Sequence, residues 1–109
     1  MARTYAQLVN ARFGERLASV RRARRVSQTE LGRRIGFSRA TIANLEGGHQ
    51  NVQLHQVYSI AKALDAPIEE LLPKPHELPD TYTPAENPDV IFLESVRRQL
   101  VHGDDNENT

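Results

Sequence analysis

The sequence predicts an all-α domain, and three observations carry that expectation. Apolar residues recur at three- and four-residue intervals along most of the first 72 positions. No stretch alternates apolar with polar residues as a half-buried strand does. Capping hydroxyls and helix-stopping glycines punctuate the pattern at short intervals. Five amphipathic helices are therefore expected in residues 1–72. A proline-rich linker at 73–87, a C-terminal helix within 88–103 and a disordered tail at 104–109 are expected to follow.

Val9, Phe13, Leu17 and Val20 share one helical face, so a first helix is expected from about Tyr5 to Arg25, with a frayed start. Ser27-Gln28-Thr29-Glu30 has the form of a capping box, in which hydroxyl and carboxylate each satisfy an orphaned backbone amide. A second helix thus starts at Gln28, buries Leu31 and Ile35, and stops at Gly36. Phe37 is expected to plug the corner, and Ser38 to cap a third helix, Arg39–Glu46, that turns Ile42 and Leu45 inward before Gly47 and Gly48 end it. Leu54, Val57, Ile60, Ala61 and Leu64 mark a fourth helix. Pro67 suits the first turn of a short fifth one carrying Ile68, Leu71 and Leu72.

Five prolines between 73 and 88 then interrupt any helix, which is the reason for placing the linker there. Leu93, Val96 and Leu100 form the stripe of the expected helix at 88–102, which is marginal alone in water and should dock on something.

Net charge is zero, but its distribution is uneven. Residues 1–72 hold 11 basic against 6 acidic side chains, a net +5, and residues 73–109 hold 3 against 8, a net −5. A basic head is the electrostatic footprint of a nucleic-acid partner, although a solvated arginine-rich face has the same composition. The chain has no cysteine, which excludes disulfides and thiolate metal sites. His49, His55, His76 and His102 lack metal-ligand spacing, no glycine-rich phosphate loop occurs, and neither cofactor nor enzymatic activity is expected. The longest apolar run, residues 90–93, is far below the roughly 20 residues that span a bilayer, so no membrane association is expected and the expected location is cytoplasmic.

In the pair of helices around Gly36, each small or apolar residue has a mechanical task. Gly32 is expected to let the third helix cross the second closely, Gly36 to make the turn, and Leu31, Ile35, Phe37, Ile42 and Leu45 to lock the pair on the other helices. This is a helix-turn-helix. From Phe13 to Leu72, through "RRARRVSQTELGRRIGFSRATIANLEGG" to "LHQVYSIAKALDAPIEELL", the chain resembles the helix-turn-helix domains of the phage repressor and Cro type, the Xre family. The resemblance implies a lambda-repressor-like five-helix domain whose third helix lies in the major groove of double-stranded DNA while the second crosses the phosphates.

Carried over by position, Arg39, Ala40 and Asn44 would face bases, with Thr41 near them. Arg39 can grip guanine, Asn44 can pair with adenine, and the Ala40 methyl can meet a thymine methyl. Gln28, Thr29, Ser38, His49, Gln50 and Asn51 would meet the phosphate backbone, which fixes register without reading sequence. The Gln28 side chain is also placed to brace the reading helix. The resemblance further implies a structural ion pair between Arg21 and Glu46, while Arg22, Arg24 and Arg25 read as a solvated helix end.

The function expected is that of a transcriptional regulator, a repressor that binds a two-fold symmetric operator as a homodimer. Expected dimer surfaces are Ile68, Leu71 and Leu72, as family members often use, together with Leu93, Val96 and Leu100. The competing reading is an antitoxin-like protein whose acidic tail binds a protein partner while the head represses its own operon.

Overall fold

The computed structural model describes residues 3–79, which form four α-helices and two single 3-10 turns, with no strand among them. In chain order these are α1 (Tyr5–Ala23), α2 (Gln28–Ile35), α3 (Arg39–Glu46) and α4 (Leu54–Leu64), then the turns Ile68–Glu70 and Pro75–Glu77. The expected remainder of the linker, the 88–102 helix with Leu93, Val96 and Leu100, and the 104–109 tail lie outside the described residues.

The core is one cluster drawn from every helix. Phe13, Leu17 and Val20 of α1 meet Leu31 of α2, Ile42 and Leu45 of α3, and Val57, Ile60, Ala61 and Leu64 of α4. Ile35 and Phe37 pack against its edge. Leu54 departs from its expected place in the stripe, being 70% exposed at the first position of α4; Val52, two residues earlier, packs against the core instead.

Helix starts differ from expectation in two places. The first helix does not fray: Thr4 Oγ1 accepts from the Gln7 amide at 3.1 Å, and Gln7 Oε1 accepts from the Thr4 amide at 3.0 Å, a complete capping box. At α2 only half of the expected box forms. Ser27 Oγ accepts from the Glu30 amide at 2.9 Å, but the Glu30 carboxylate turns to Arg33 and Arg34 rather than back to the cap.

All four α-helices end alike. A residue in the left-handed region follows each, namely Arg25 (φ 59°), Gly36 (φ 78°), Gly48 (φ 73°) and Asp65 (φ 49°). The next amide reaches back to a carbonyl five residues earlier: Val26 to Arg21, Phe37 to Gly32, His49 to Asn44 and Ala66 to Ala61, at 2.8–3.0 Å. Glycine adopts this conformation without strain, and Gly36 has nothing within 4 Å of the position a Cβ would take, so its requirement is conformational alone. Two other glycines are required by proximity. A Cβ on Gly14 would lie 2.4 Å from the Leu45 and Glu46 carbonyls, so α1 and α3 meet backbone to backbone there. A Cβ on Gly32 would meet the Phe37 carbonyl at 2.3 Å, so this glycine admits the turn itself rather than the crossing of the third helix.

The expected fifth helix is a single 3-10 turn, with Pro67 just ahead of it in extended backbone. Leu71, which follows, is completely buried in the core. That removes it from the expected dimer surface: a side chain already enclosed by its own domain has no area left for a second copy. Leu72 is 40% exposed and Ile68 is half-buried.

The linker also does not begin at Pro73 as expected. Residues 73–79 fold back on α1, where the Arg16 guanidinium pairs with the Glu77 carboxylate and Tyr5, Pro73, Pro75, Leu78 and Pro79 line a common depression. The Lys74 amide bonds to Glu77 and its ammonium to the Glu69 carbonyl. Prolines prevented a helix here without preventing a fixed path.

Two stability effects follow. Arg25→Gly should raise stability in urea denaturation by about 1 kcal/mol, because it relieves the left-handed strain of a side-chain-bearing residue at an exposed position. Leu71→Ala should cost about 2–5 kcal/mol in the same measurement, as expected for a truncation in a packed core.

Candidate nucleic-acid interface

The Gly36 turn sets α3 across α2, and Ser38 begins α3 by accepting from the Thr41 amide at 3.1 Å. With Ile42 and Leu45 spent on the core, Arg39, Ala40 and Asn44 form the exposed outer face. Neither the Arg39 nor the Asn44 side chain has a hydrogen-bond or ionic partner among the described residues. Thr41 stands apart from them: it is half-buried, and its hydroxyl lies 3.0 Å from that of Ser38.

What holds α3 is a charged node behind it. Arg21 of α1 lays its guanidinium against the Glu46 carboxylate at the end of α3, Nε to Oε2 at 2.5 Å and Nη2 to Oε1 at 3.0 Å. Its remaining Nη1 donates to the Val26 carbonyl at 2.9 Å. Gln28 Nε2, from the first residue of α2, donates to Glu46 Oε1 at 3.0 Å. The side chains of the ion pair are 10% and 7% exposed, and no buried polar side-chain atom among the described residues lacks a partner. Burial opposes ionisation of Glu46, but hydrogen bonds from Arg21 and Gln28 and the positive charges of Arg21 and Arg22 outweigh it, leaving its pKa below the ordinary carboxylate value. The same hydrogen bond raises the pKa of Arg21.

Two other cations share one carboxylate within the fold. Glu30 accepts from Arg33 and Arg34, which together hold its pKa at about 2, and Arg34 also donates to the Ala63 carbonyl of α4 at 2.9 Å. Arg22, Arg24 and Arg25 are exposed at the end of α1.

The expected phosphate-contacting residues fall into two groups. Gln28 and Thr29 open α2, where the first-turn amides of any helix lack internal partners, although the Gln28 side chain is occupied by Glu46. His49, Gln50 and Asn51 are exposed on the loop leaving α3. Ser38 lies between the groups, its hydroxyl committed to the cap. The sequence did not point to a third set: Arg3, Gln7 and Asn10 of the α1 start stand beside that loop, with Asn10 Nδ2 donating to Asn51 Oδ1 at 2.6 Å. The available signal was length, since α1 begins eight residues before its core anchor Phe13 and its first turns must overhang a neighbour.

The family described as a helix-turn-helix domain matches residues 12–73, more than half of the chain. The chain belongs to this family. Its helix-turn-helix is of the phage repressor and Cro type, as the sequence indicated. A transcriptional regulator in the ATPase CF(0) region of Rhodospirillum rubrum is 39% identical over 61 residues, 56% of this chain and 56% of that protein. An HTH-type transcriptional regulator of Archaeoglobus fulgidus is 41% identical over 46 residues, 42% of this chain and 65% of that protein. The chain thus spans less than two thirds of either relative.

Among solved structures, the restriction-modification controller protein C.AhdI from Aeromonas hydrophila superposes with a TM-score of 0.55 at 38% identity, covering 62% of this chain and all of that one. The clp gene regulator ClgR from C. glutamicum gives 0.56 at 25% identity, covering 58% and 81%. Apo-HppE gives 0.57 at 27% identity, but the match covers 36% of that chain.

Glu46→Gln tests the node by its pH dependence. A carboxylate whose folded pKa is depressed contributes stability above its unfolded value, about 4.3, and loses it as pH falls through the folded value. The substitution should therefore cost about 3 kcal/mol in urea denaturation at pH 7, where it strands Arg21 in a buried site, and distinctly less at pH 3.

Proposed function

We propose that this chain is a sequence-specific double-stranded DNA-binding transcriptional regulator, a repressor that binds a two-fold symmetric operator as a homodimer. The observation that carries this reading is the outer face of α3: Arg39, Ala40 and Asn44 are exposed and uncommitted on a helix whose other side is pinned by core and ion pair. An unpaired arginine in the first turn opposes the helix dipole, a cost that a guanine edge would offset. The relatives named as transcriptional regulators, and the controller protein and gene regulator among the solved structures, support the same reading.

Two-fold binding follows from the arithmetic of recognition. One head reads few base pairs, whereas two heads on a two-fold axis place their reading helices about 34 Å apart on one face of the duplex. Ile68 and Leu72 are the parts of the expected dimer surface that the domain leaves accessible, and Leu93, Val96 and Leu100 of the expected 88–102 helix would supply the rest.

In vitro selection of bound duplexes should return a two-fold symmetric site. On that site Arg39→Ala should relax discrimination at one base pair per half-site by about 1–3 kcal/mol, read from competition titrations with singly altered duplexes. A variant that binds more weakly but discriminates as before would remove Arg39 from the bases. Cutting the chain after Pro79, which keeps the Arg16–Glu77 contact, should yield monomers in sedimentation if the C-terminal segment pairs the heads.

A further inference from the structure

Beside α3 the structure contains a cleft of about 520 Å³, between the first turns of α1 and the loop that leaves α3. Arg3, Gln7 and Asn10 line one wall and His49, Gln50 and Asn51 the other, with no carboxylate on either. The two walls are fixed to each other. Asn10 bonds to Asn51, and Gly48 passes so close under Ala11 that a Cβ there would lie 2.8 Å from the Ala11 Cα. The loop is fixed to the reading helix as well, through the His49 amide on the Asn44 carbonyl at 2.9 Å.

The hydrogen-bond pattern gives the cleft a chemical preference. Gln7 Oε1 already accepts from the Thr4 amide and Asn51 Oδ1 from Asn10, while the NH2 groups of Gln7 and Asn51 make no hydrogen bond among the described residues. Arg3 adds a guanidinium that has no partner among the described residues. Donors and one permanent cation, without a carboxylate, suit an anion rather than a cation or an apolar group.

We propose that this cleft seats a phosphate of the DNA backbone, with Arg3 as its charged contact, and so extends the footprint of the helix-turn-helix. The inference rests on the DNA-binding reading above. The occupant is the backbone of the same duplex because the cleft's outer wall is the loop continuing from α3. A phosphate held there clamps the protein in register without adding sequence information.

Arg3→Ala, at an exposed residue whose loss should leave helicity by circular dichroism unchanged, separates the possibilities on duplexes obtained by selection. The expected result is a several-fold loss of affinity on every sequence alike, and a plot of log K against log salt shallower by about 0.9. A scan of single methylphosphonate substitutions should also find one backbone position at which neutralisation weakens the wild type but not the variant. Unchanged affinity and slope would overturn the proposal, as would equal further losses for the variant at every neutralised position. A loss confined to particular sequences would overturn it too, by assigning Arg3 to a base edge. Discrimination by Arg39→Ala, read on the same duplexes, reports on the reading helix independently. If it persists while Arg3→Ala is silent, only the cleft is refuted.

Discussion

The position of α3 depends on a single carboxylate. Glu46 is the last residue of α3, and it receives two bonds from Arg21 of α1 and one from Gln28 of α2. Three helices therefore converge on one charge, close to where Gly14 lets the α1 and α3 backbones touch. A buried ion pair is a poor source of net stability, because desolvation consumes much of its attraction. Its value here is geometric: apolar contacts through Ile42 and Leu45 tolerate sliding, whereas a forked guanidinium on a carboxylate fixes distance and plane together. The outer face of α3 can then be solvated without being loose.

Ion pairing inside the head also decides which charges face outward. Arg12, Arg16, Arg21, Arg33 and Arg34 are each matched by a glutamate, while Arg3, Arg22, Arg24, Arg25, Arg39 and Lys62 have no ionic partner among the described residues. Six of the eleven basic residues of positions 1–72 are thus left without a carboxylate. Two of them flank α3 from different directions: Arg39 at its own start and Arg3 beside the loop at its end. A composition count treats all eleven basic residues alike, and only the pairing pattern distinguishes an available cation from a structural strut.

The helical core was legible because its signals are local. Periodicity located α1 to α4, and Ser27, Ser38 and Gly36 marked their ends to within a residue or two. The misreadings arose where a side chain had two competing uses. Glu30 had the spacing of a capping box, but two arginines on the following turn outbid the cap amide. Leu71 continued an apolar stripe in a way that suited either core or interface, and the tight 3-10 turn before it drove it inward. The proline run looked like an extended linker because its anchor, Arg16 with Glu77, spans 61 residues and no local pattern reports it. On α3, the exposure of Arg39, Ala40 and Asn44 was legible once Ile42 and Leu45 were turned inward, whereas their expected contact with bases came from the family resemblance. The Arg3 cleft was not, since it exists only where the start of one helix passes over the end of another.

The four left-handed helix ends have a consequence for how such a head can change. Each helix ends in one left-handed residue and one backward hydrogen bond, and in the α2–α3 connection, three residues long, nothing else is left over. The identity of the reversing residue is negotiable, as Arg25 and Asp65 show by standing where glycine would be at ease. Chain length is not. One residue added between Gly36 and Ser38 would part the left-handed reversal from the cap that starts α3 and displace Phe37, whose amide bonds the Gly32 carbonyl and whose side chain packs against the core. Variation is therefore open to this fold through substitution on the outer surface of α3 and closed to it through insertion in the α2–α3 turn, a constraint written into the turn rather than into the exposed residues.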